Sequence, residues 1–113
     1  MRHLRQRNLK IITEIMNYLL KIGCEKIHLD YYVEQHNLNI DFSCTVDNLD
    51  EKSLLNMKNL LSISRRSDIE EYYWELTGND DLDTELSLVG MMTDDVDISY
   101  NNNNLKINLK RLI

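Results

Sequence analysis

The sequence predicts an α+β fold: a two-layer α/β sandwich in which helices pack on one face of a four-stranded, largely antiparallel sheet. Three observations lead there. Residues 26–34 and 38–46 each alternate apolar and polar side chains, and a short polar turn separates them. A second alternating pair starts at Val96 and at Leu105, around four consecutive asparagines. Before and between these pairs the apolar spacing changes from two residues to that of a helix. Strands with one apolar face need a cover on that face and leave the other wet.

Taken in order, residues 8–21 place Ile12, Ile15, Met16 and Leu19 at i, i+3, i+4 and i+7, one side of a helix. Gly23 follows as a left-handed cap. In the first strand Ile27, Leu29, Tyr31 and Val33 point one way, and His28, Asp30, Tyr32 and Glu34 the other. His36-Asn37 forms the turn, and the second strand carries Leu38, Ile40, Phe42, Cys44 and Val46 on its apolar face, which makes a hairpin. Residues 50–63 return to helical spacing with Leu54, Met57 and Leu61, and either Asp47 or Asp50 can cap their start. Ser64-Arg65-Arg66 is a break. Ser67-Asp68-Ile69-Glu70 has the form of a capping box opening a helix with Tyr72, Tyr73, Trp74 and Leu76. After a polar loop, Asp83 can cap a third short helix that buries Leu86, Val89 and Met92. Val96, Ile98 and Tyr100 begin the third strand, and Leu105, Ile107 and Leu109 form the fourth. Asparagines 101–104 tolerate the left-handed backbone that a tight turn needs.

With 113 residues the chain is expected to form one domain spanning 1–113. No apolar run approaches a membrane span and no signal core follows the basic start, so a cytoplasmic protein is expected. Two cysteines make no disulfide framework and read as buried thiols. The formal charge of −6 is uneven: residues 67–105 hold eleven carboxylates and no Lys or Arg. Such a surface repels nucleic acid and suits a basic protein partner.

The order of elements, with certain local residues, resembles the ATP-binding domain of sensor histidine kinases, anti-sigma-factor kinases and DNA gyrase, the GHKL fold. In 13–21, Asn17 falls where the family has the Asn that ligates the nucleotide's magnesium, with Thr13 and Lys21 in place of the usual Glu and His. Asp47-Asn48-Leu49-Asp50-Glu51 resembles the adenine-reading Asp-x-Gly-x-Gly box; Asp47 matches, and Leu49 and Glu51 replace both glycines. Asp83-Thr84-Glu85-Leu86-Ser87-Leu88 resembles the later Gly-x-Gly-Leu-Gly-Leu box, keeping the leucines and losing every glycine. Glycines let a backbone approach phosphate closely. Asp83 and Glu85 instead put carboxylates near where a triphosphate would lie, a repulsion of order 332/(εr) kcal/mol each.

The expectation is therefore a non-catalytic protein-interaction module of regulatory type, of the bacterial anti-sigma or partner-switch kind, with no cofactor, no metal and no catalytic residues. Its partner-binding surface is placed at Tyr72, Tyr73, Asp80, Asp81 and Asp83. Three adjacent aromatics cannot all face inward on one helix, which leaves at least one for an interface. The alternatives are a nucleotide-dependent anti-sigma-type serine kinase retaining Asn17 and Asp47 as cofactor-binding residues, and a structural homodimer joining the basic N-terminal segment to the acidic face.

Overall fold

The structure is a computed structural model and describes residues 4–62 and 82–113. Its elements run α1 (Leu4–Lys21), β1 (Glu25–Glu34), β2 (Asn37–Thr45), α2 (Glu51–Leu61), α3 (Leu82–Met91), β3 (Asp95–Asn101) and β4 (Asn104–Leu112). The helix expected to open at Ser67 lies outside the described residues. The strands form one open sheet in the order β1-β2-β4-β3, every neighbouring pair antiparallel. This is the α+β sandwich expected from the sequence, and α3 packs against both α1 and α2.

Local chemistry sets the turns. Glu34 pairs with Asn37 across Gln35 (φ 50°) and His36 (φ 67°), and Asn101 pairs with Asn104 across Asn102 (φ 51°) and Asn103 (φ 63°). Two successive residues in the left-handed region are the mark of the two-residue turn that matches strand twist. The first turn thus centres one residue earlier than the polar pair His36-Asn37 suggested. Gly23 sits at φ 92°, closing α1 as expected. Asp50 caps α2, its carboxylate accepting from the Ser53 N–H at 2.7 Å. Hydrogen bonding from the Ser53 side chain first, then from its N–H, with the nearby Lys52 charge, holds the Asp50 carboxyl below the usual carboxylate range. Asp83 falls inside the first turn of α3 rather than at its cap, because helical backbone already begins at Leu82.

The core lies between the sheet and the helices. Leu38, Ile40, Phe42 and Cys44 of β2 and Leu105, Ile107 and Leu109 of β4 are buried on one face, with Leu86, Val89 and Met92 above them. In α1 the buried side is turned from the expected stripe. Ile15 and Leu19 are fully enclosed, but Ile12 and Met16 are only partly covered, and Ile11 and Tyr18 take their place together with Arg7, Asn8 and Glu14. A reading by hydrophobicity alone passes over buried polar side chains, and three stand on this side of the helix.

Two contacts fix α3. Arg111, almost fully buried on the core face of β4, donates from Nη1 to the Met92 carbonyl at 2.5 Å, just past the helix C-terminus. The Thr93 hydroxyl donates to the carbonyls of Val89 and Gly90, each at 3.2 Å. Carbonyls at a helix end carry the negative pole of its dipole, so a cation there is favourable. On the other side, Gly90 lets α3 lie against the end of α2. A Cβ at Gly90 would stand 2.9 Å from the Leu60 carbonyl oxygen and 3.1 Å from that of Leu61.

Gly90→Ala should therefore destabilise the protein although alanine is the better helix former. Backbone atoms cannot step aside, and an overpacking cost of about 1–3 kcal/mol opposes a propensity gain of about 1 kcal/mol. The check is a lower urea midpoint at unchanged slope. Arg111→Ala should cost about 2–4 kcal/mol, the sum of a lost charged hydrogen bond and a poorly refilled space, measured in the same way.

Candidate functional site

The two edges of the sheet differ, and the difference defines the site. Leu29, Tyr31 and Val33 of β1 pair with Phe42, Ile40 and Leu38 of β2 and so share the core-side face. The β2 residues are 2%, 1% and 0% exposed; their β1 neighbours are 41%, 47% and 56% exposed. The expectation that helices cover this face holds for β2 and β4, whereas on β1 these side chains stay exposed.

Helix α1 overhangs this edge. The Asn8 side-chain amide donates to the Tyr31 hydroxyl at 3.2 Å, which marks the flank of α1 nearest β1. At 100° per residue, continuing round the helix from Asn8 away from the core brings Ile12, Met16, Leu9 and Leu20 in turn. Ile12 and Met16 are partly covered, while Leu9 and Leu20 are 54% and 59% exposed. The flank of α1 and the exposed face of β1 together make an apolar strip along a sheet edge that, among the described residues, has no neighbouring strand. Contiguous exposed apolar surface of this kind marks interaction sites, and an unpaired edge is a template for another strand.

The resemblance-derived residues fall elsewhere. Asn17 is exposed on α1, and Asp47 is exposed in the loop between β2 and α2. That loop is tied to the sheet by the Tyr100 hydroxyl, which donates to the Val46 carbonyl at 2.7 Å and accepts from the Leu49 N–H at 3.3 Å. Leu49 packs partly into the core. Asp83 and Glu85 fall in the first turn of α3. Tyr72, Tyr73, Asp80 and Asp81 lie outside the described residues.

A cleft of about 430 Å³ opens between the end of α2 and β3, lined by Lys58, Leu61, Ser62, Thr93, Val96 and Ile98 with the carboxylates of Asp94, Asp95 and Asp97. A second, of about 440 Å³, lies on the sheet between β2, β4 and β3. Neither is lined by Asn17 or Asp47. Among the described residues no group of three His, Cys, Asp or Glu side chains could hold a metal ion, and no helix is long and apolar enough to cross a membrane.

The other chemically notable pair is Cys24 and Cys44, both buried thiols with their sulfurs 2.9 Å apart. Burial first, and then the Cys44 thiol beside it, push the Cys24 thiol up to about 12. Burial likewise raises Cys44. A thiol held protonated is a poor nucleophile, so this pair is core packing. The sequence offered no sign of buried Arg7 and Arg111 except, for Arg111, its place in the alternation after Leu105, Ile107 and Leu109. Since the thiols ionise more readily in the unfolded chain, with an ordinary value of 9.0 for Cys24, stability is retained below that value. It declines as pH climbs from there towards about 12. Cys24→Ala should flatten that decline in urea titrations at stepped pH.

Compared with protein-family models and with curated proteins, the chain matches none.

Proposed function

We propose that this chain is a non-catalytic protein-interaction module of regulatory type, on a degenerate GHKL-like fold that no longer holds ATP. The observation that carries the reading is the apolar strip formed by β1 and the outer flank of α1. It offers backbone hydrogen-bonding groups and apolar side chains, which suit another polypeptide better than a nucleotide.

The order of described elements, a helix, a hairpin, two helices and a second hairpin, agrees with the resemblance. The losses within the resemblance support the absence of nucleotide. Leu49 and Glu51 replace one pair of glycines, and Asp83, Glu85 and Ser87 replace the other three. A basic partner of the bacterial partner-switch kind would be met by the acidic stretch, with Tyr72, Tyr73, Asp80, Asp81 and Asp83 as its contact residues. The kinase reading rests on Asn17 and Asp47 both being open to solvent.

Thermal unfolding with millimolar ATP and magnesium separates the two. A nucleotide with a dissociation constant near ~10 μM would add about 2.7 kcal/mol at a hundredfold excess and raise the midpoint by several degrees. The expected result is an unmoved midpoint. A rise that Asn17→Ala abolishes overturns the module reading and restores the kinase.

A further inference from the structure

The apolar strip has an occupant that its own sequence describes. We propose that β1 pairs antiparallel with β1 of a second copy, about a two-fold axis at Tyr31, joining two four-stranded sheets into one of eight. This rests on the reading of the chain as a protein-interaction module and names the partner at one of its surfaces.

The argument begins with parity. A two-fold axis normal to the sheet places both helix layers on the same side. Only registers that oppose residues of like parity then keep the apolar faces together. Position in the strand narrows the choice. β1 carries a bulge at its start, where Glu25 pairs with Thr45, Ile27 with Cys44, and Lys26 between them sits at φ 52°. An axis at Leu29 would draw that bulge into the new pairing. An axis at Asp30 would set Asp30 against its own copy, and like charges directly opposite are destabilising. An axis at Tyr31 confines the pairing to residues 28–34, beyond the bulge.

Charge and shape then agree along the strand. On the core-side face, Leu29 lies opposite the copy's Val33 and Tyr31 opposite its own counterpart, which covers the three most exposed apolar side chains of that face at once. On the other face His28 meets Glu34, and Asp30 meets Tyr32. The pairs repeat on both sides of the axis, as an isologous interface requires. Above the sheet, the outer flanks of the two α1 helices, with Leu9 and Leu20, turn towards each other across the same axis. The opposite edge lacks these features: β3 is shorter, and its apolar Val96, Ile98 and Tyr100 are partly buried against the core.

The test is light scattering on the intact chain from micromolar to several hundred micromolar, for wild type and Val33→Lys. Val33 is half-exposed, so the variant should keep its far-ultraviolet dichroism and melting point. Wild type should approach twice the 13.4 kDa chain mass, and Val33→Lys should need at least about tenfold more protein to do so. Independently, Tyr31→Cys should form a disulfide-linked dimer under copper–phenanthroline oxidation, because residues on the axis face themselves, and Ser99→Cys on the β3 edge should not. A wild-type chain that stays at one-chain mass throughout overturns the pairing. So does a dimer that Val33→Lys leaves unchanged and Tyr31→Cys fails to cross-link. Either result leaves the module reading standing, which the nucleotide experiment tests separately.

Discussion

The pairing of β2 with β4 is the constraint on which the molecule depends. Each hairpin closes locally, through a two-residue turn. The seam between them joins Leu38 to Arg111, Ile40 to Leu109, Phe42 to Ile107 and Cys44 to Leu105, residues some sixty positions or more apart in the chain. Contacts of that separation form only after a long loop has closed, so they need support from burial. Every one of these eight residues is buried. A slip of one position would turn them all to solvent.

Polar contacts then tie the helices to this seam. Arg111 belongs to the seam and holds the end of α3. Tyr100, one strand away, holds the loop that leads into α2. Asp94 accepts from the Leu112 N–H at 2.5 Å, and its own N–H donates to the Lys110 carbonyl at 2.8 Å, which locks the entry to β3 against β4. Apolar burial fixes the layers. These directional bonds set how each helix end meets the sheet.

Much of this architecture was legible in the sequence, because period and turn chemistry are local signals. The four strands, the asparagine turn, the Gly23 cap, the Asp50 cap and the burial of Leu86, Val89 and Met92 all follow from neighbours in the chain. What was not legible depends on distant groups. Alternation told which side of β1 is apolar but not whether anything lies over it. The stripe on α1 was misplaced because Arg7, Asn8 and Glu14 read as surface residues. Gly90 reads as a weak helix residue until the α2 backbone beside it is seen. The candidate site shares this limit. Asn17 and Asp47 could be named from local motifs, whereas the strip on β1 and α1 exists only through sheet order.

The unequal edges of the sheet also decide how large an assembly can grow. A sheet with two equally receptive edges can add copies without end and build a filament. Here one edge, β1, is ten residues long and exposes Leu29, Tyr31 and Val33, and the other, β3, is seven residues long with its apolar side chains partly buried. If copies join through β1 as proposed, the pairing uses that edge up in both and leaves the two β3 edges facing outward, so such an assembly would stop at two.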